Sequence, residues 1–82
     1  MSATYNGHML NMSETEFAAA LAVRVRTLRM RHAYSQEELA RRAGLARGVV
    51  INVENGQRLV RPASVRKLAR ALAVTPLQLT SD

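Results

Sequence analysis

The residues able to do chemistry in this 82-residue chain are mostly cations. Eleven of its twelve basic residues are arginine, Lys67 being the exception, and six acids leave a net charge of +6. From Ala18 onward the same twelve face only Glu37, Glu38, Glu54 and Asp82, a surplus of +8. A surplus of that size favours a polyanionic partner. Other chemistries find too few groups. Glu37 and Glu38 are adjacent on a helix and diverge, so they form no carboxylate dyad. Glu54 lacks a second group with which to act as a catalytic acid. Two histidines, His8 and His32, with six acids are too few for a hydrolytic metal centre. Without cysteine there is neither a disulfide nor a thiolate metal site. No enzyme, no cofactor and no metal is expected.

The frame that must position these cations is small. Its length suits one domain and will not hold two. Apolar residues make up 48% of the chain but aromatics only 4%, so Leu, Val and Ala must fill the core. No apolar run approaches the ~18 residues of a membrane span, and no signal-peptide pattern appears. No membrane partner is expected, and the lack of cysteine makes a reducing cytoplasm the expected location.

Residues 1–12 are small and polar, contain Gly7 and His8, and show no period. They read as a mobile tail, with Met9 and Met12 as alternative starts. Residues 13–82 read as the folded domain. Ser13-Glu14-Thr15-Glu16 has the form of a capping box and opens a first helix. Phe17, Leu21, Val25 and Leu28 give it an apolar stripe, with Arg29 at the edge. It should end near His32, whose imidazole would sit in the field of the helix C-terminus. Ser35-Gln36-Glu37-Glu38 is a second capping box, and Leu39, Ala40 and Ala43 form one face before Gly44 stops the helix.

A third helix is expected from Arg47 to Asn55, with Val50, Val53 and Glu54 inward. At about 100° per residue, Arg47, Gly48, Ile51 and Asn52 fall on the opposite side. Asn55-Gly56 is a stop signal, and Pro62 suits the first turn of a fourth helix. Val65, Leu68, Ala69 and Leu72 form its buried stripe. Thr75-Pro76 starts a fifth helix, with Thr75 as N-cap. The expectation is an all-α domain of five short helices.

Two short helices joined by a turn at Gly44 are a generic helix-turn-helix. A longer run narrows the match. Leu28-Arg29, then Ser35-Gln36-Glu37-Glu38-Leu39-Ala40-Arg41-Arg42-Ala43-Gly44, then Val53-Glu54-Asn55-Gly56 closely resemble the Xre family of phage and bacterial repressors. Leu68-Ala69-Arg70-Ala71-Leu72-Ala73-Val74 extends the resemblance, which covers about Leu21 to Leu79. It implies a compact, lambda-repressor-like five-helix domain that binds double-stranded DNA in a sequence-specific way, usually as a homodimer. This chain looks like such a binding domain with almost nothing appended.

The resemblance also assigns roles. Gln36, opening the second helix, would grip a phosphate. Arg47, Gly48, Val49 and Asn52 would reach the major groove, with Ile51 at its margin near phosphate. Arginine can fork to guanine, asparagine can pair with adenine, and valine can touch a thymine methyl. A phosphate contact without readout is the other reading of Arg47 and Asn52. Arg29 and Glu54 would form a buried pair. Arg58 and Arg61, in a loop about one residue longer than in phage relatives, would meet phosphates. Leu59 and Val60 either tuck under the fourth helix or join Leu77 in a dimer contact.

Three departures stand out. Ala46 replaces the usual N-cap of the third helix, Gly48 stands where a base-reading side chain is common, and Ala33 replaces a glycine. The implied function is a transcriptional regulator, read as a repressor acting as a homodimer on two half-sites. The alternative is an antitoxin-type interaction protein that binds a toxin and regulates itself through DNA.

Overall fold

Ser13 starts the first helix, α1 (Glu14–Arg31), through a reciprocal pair of hydrogen bonds. Its N–H donates to Glu16 Oε1 at 2.9 Å, and its Oγ accepts from the Glu16 N–H at 3.1 Å. Four further helices follow: α2 (Gln36–Ala43), α3 (Arg47–Glu54), α4 (Pro62–Ala71) and α5 (Pro76–Thr80). They come from a computed structural model describing residues 13–57 and 59–80, among which there are no strands. The expectations for residues 1–12 and for Arg58 lie outside the described residues, as do Ser81 and Asp82.

Only half of the expected second capping box forms. Ser35 Oγ accepts from the Glu38 N–H at 2.9 Å, but the Glu38 carboxylate does not reach back. It turns to Arg41 and Arg42, at 2.6 Å from each, because two guanidiniums one turn ahead outcompete a single neutral N–H. The Arg41 hydrogen bond, with Arg42 adding to it, holds this carboxyl below the usual carboxylate range. A full box appears instead at α5. The Thr75 N–H donates to Gln78 Oε1 at 2.8 Å, and Thr75 Oγ1 accepts from the Gln78 N–H at 3.0 Å.

Helices α1 to α4 all end on the same motif. A residue in the left-handed region follows each helix, and the next residue's N–H reaches back to a carbonyl of the last turn. Gly44 (φ 69°) and Gly56 (φ 84°) take that position after α2 and α3. Leu45 N–H then bonds Ala40 O at 2.9 Å, and Gln57 N–H bonds Asn52 O at 2.9 Å. After α1 and α4 the position falls to alanine, at Ala33 (φ 59°) and Ala73 (φ 61°). Each such alanine costs roughly 1–2 kcal/mol that a glycine would avoid. The third helix thus ends at Glu54, one residue before its expected limit.

The principal packings close a ring. α1 meets α3, α3 meets α2, α2 meets α4, α4 meets α5, and α5 returns to α1. Inside it lie Leu21 and Val25 of α1, Leu39 of α2, Val50 and Val53 of α3, Leu68 of α4, and Leu72 and Leu79. Burying each contributes about 1.5–3 kcal/mol, which lets helices of eight residues persist that could not do so alone. The stripe expected on α1 is displaced. Phe17 and Leu28 are only partly buried, whereas Ala18 and Ala22 are inside.

Candidate nucleic-acid interface

Glu54 ends α3 with its carboxylate buried, the side chain 1% exposed. Arg29 meets it with a fork: Nε donates to Oε2 at 2.6 Å and Nη2 to Oε1 at 3.0 Å. The third arm, Nη1, donates to the Tyr34 carbonyl at 2.8 Å, one residue before the Ser35 cap. Glu54's hydrogen bonds raise the Arg29 pKa above its ordinary value, and its charge adds to them against the opposing effect of burial. Gln36 closes the group by donating from Nε2 to Glu54 Oε1 at 3.1 Å. One carboxylate therefore fixes α1, the start of α2 and the end of α3 relative to one another.

Gln36 is the first residue of α2, where backbone N–H groups face outward without intrahelical partners. Three residues, Gly44 to Ala46, turn the chain from α2 into α3. Leu45 packs against the core, which sets the angle at which α3 leaves. On α3, Val50, Val53 and Glu54 are buried, while Arg47, Gly48 and Asn52 are exposed. Val49 and Ile51 are half-buried, Val49 packing against the core, so only part of each is presented outward.

Ala46 gives α3 no side-chain cap, and Gly48 weakens it further. A Cβ at position 48 would meet nothing within 4 Å. Gly48→Ala should therefore stabilise the fold by about 1 kcal/mol, raising Tm by about 4–8 °C. Thermal unfolding of the variant beside the wild type checks it.

The segment after α3 divides the remaining candidates. Arg61 is exposed and caps α4 through its backbone. It shares a groove with Val49, Asn52, Leu59 and Lys67. Lys67 is a cation beside the outward face of α3 that the sequence reading passed over. Its signal was its place off the stripe of Val65, Leu68 and Leu72. Leu59, 77% exposed, lies in this groove, whereas Leu77, 72% exposed, lines a different one. Val60 reaches both, half-buried against the core, and in the second it joins Phe17, Val65, Pro76 and Leu77. The structure thus brings Val60 and Leu77 together and keeps Leu59 apart.

His32 has a contact of its own. Its Nε2 faces the Leu72 carbonyl oxygen at 2.9 Å, which requires the proton on Nε2, and its ring stacks on Tyr34 at 5.0 Å. Arg42 covers that tyrosine ring at 4.6 Å. These contacts tie the ends of α1 and α4 together. No helix among the described residues is long and apolar enough to cross a membrane.

Comparison with known proteins matches residues 25–79 to the family described as helix-turn-helix, HTH_3. A protein of Neisseria meningitidis serogroup B named Neisseria hypothetical transcription factor is 39% identical over 66 residues, covering 80% of this chain. The chain spans 62% of that relative's length. The crystal structure of hypothetical transcription factor NHTF from Neisseria superposes with a TM-score of 0.76 at 38% identity, over 84% of this chain and 79% of the other. The restriction-modification controller protein C.AhdI from Aeromonas hydrophila gives a TM-score of 0.72 at 42% identity, over 76% and 94%.

Proposed function

The chain belongs to the HTH_3 helix-turn-helix family, the Xre and Cro-like group of DNA-binding transcriptional regulators, and on that premise we propose that it is a repressor. It binds a duplex operator as a homodimer, one α3 in the major groove of each half-site. The observation that carries this reading is the two-sidedness of α3: Val50, Val53 and Glu54 are spent inward, leaving Arg47, Gly48 and Asn52 exposed. Arg47 and Asn52 read bases, with Val49 adding an apolar edge. Gln36, Ile51, Arg58 and Arg61 lie along the phosphates. The apolar groove of Phe17, Val60, Val65 and Leu77 supports the homodimer contact. The likeness to a restriction-modification controller protein supports a regulatory role.

Selection of bound sequences from a random duplex pool tests the proposal. The wild type should return a palindrome with half-site centres about 34 Å apart. Arg47→Ala should lose about 1–3 kcal/mol at one base pair per half-site and relax the preference there. Gln36→Ala should weaken all sequences alike, since a phosphate contact carries no base information. An unchanged motif for Arg47→Ala would remove that residue from base reading, and an asymmetric single site would overturn the homodimer.

A further inference from the structure

The buried carboxylate of Glu54 gathers more than its ion-pair partner. Its Oε1 accepts from Gln36 Nε2 at 3.1 Å, and Arg26 Nε stands 4.0 Å from the same oxygen. Arg26 comes from α1 and Gln36 from α2, and the two nitrogens can be no farther apart than those distances together allow. Glu54 lines a recess together with Arg26, Ala22, Val23 and Thr27 of α1. The Arg26 side chain is 60% exposed, so its charge remains accessible from solvent.

We propose that Arg26 and Gln36 form one phosphate site, a further cationic contact to the duplex that pairs α1 with the start of α2. The inference rests on the DNA-binding reading above and names a residue which that reading lacks. Three features support it. The Gln36 amide nitrogen has two N–H groups, and one spent on Glu54 leaves the other for a phosphate oxygen. A carboxylate accepts only, so it turns the nitrogen of that amide, not the oxygen, toward the point where Arg26 also arrives. The fork from Arg29 neutralises Glu54, so the site's own anion does not repel a phosphate. Arg26 then supplies the positive charge that a neutral amide cannot.

The test is duplex binding as a function of salt for the wild type, Arg26→Gln, Gln36→Ala and the double variant. Arg70→Gln is the control, removing the same charge from an exposed position on α4. Each variant's thermal midpoint is checked first. Releasing one fewer set of counterions should make the log–log slope shallower by about 1 per protomer for Arg26→Gln. Arg70→Gln should keep the wild-type slope. The double variant should lose less affinity than the two single losses combined, because both donors serve one phosphate. A wild-type slope for Arg26→Gln, or strictly additive losses, overturns the shared site while leaving the DNA-binding reading in place. A wild type with no affinity for any duplex overturns that reading, and the shared site with it.

Discussion

Glu54→Ala and Arg29→Ala will each destabilise the fold by about 3–5 kcal/mol, the range for breaking a buried ion pair from one side. The expectation follows from what each change strands. Without Glu54, Arg29 keeps only its bond to the Tyr34 carbonyl, with its side chain 15% exposed. Without Arg29, a carboxylate 1% exposed keeps only the Gln36 amide and a distant Arg26. Domains of this size have about 5–15 kcal/mol of stability in total, so either change consumes much of it. Removing both partners should cost far less than the two losses combined, since no unpaired charge is then left inside. Denaturant unfolding of the three variants gives the coupling directly. Additive losses below about 1 kcal/mol would assign the pair the energetics of an exposed one.

Binding to specific duplex will fall steeply with salt. A dimer neutralising about 6–10 phosphates should give a log K against log salt slope of about −5 to −9. Raising salt from about 50 to 200 mM would then cost a factor of about 10³–10⁵ in affinity. Arg61→Ala and Arg58→Ala should each flatten the slope and leave the order of preferred sequences unchanged. Arg61 stands exposed in the groove beside Asn52 and Lys67, so its charge is open to solvent. Titrations at four salt concentrations decide it. A slope near zero would be incompatible with phosphate binding.

Most helix limits were legible because local chemistry sets them. Ser13 with Glu16, Gly44, Gly56 and Pro62 each mark a boundary through their own side chain or the lack of one. Where competition entered, legibility ended. Ser35-x-x-Glu38 reads as a capping box, yet two arginines claim the glutamate. Ala33 and Ala73 carry no turn signal in their own side chains, yet both take the left-handed region, with the next residue's N–H bonded back to the last turn. The inward phase of Glu54 was visible on a helical projection, and the family resemblance supplied Arg29 as its partner. The approach of Gln36 and Arg26 to the same oxygen was not visible. It depends on how three helices cross, which no spacing along one helix encodes. The separation of Leu59 from Leu77 is equally a matter of which way a loop turns.

Helix α3 is held from behind rather than from its own start. Ala46 offers no cap and Gly48 loosens the first turn, while Val50, Val53 and Glu54 anchor the rest. This has a consequence for heredity. Alleles that abolish binding will not cluster only on the face that meets DNA. They will also fall at Leu39, Leu68 and Glu54, inside the ring, because loosening the shared core destabilises the whole small domain and α3 with it. A genetic map of lost control would trace the hidden ring of helices as clearly as the surface.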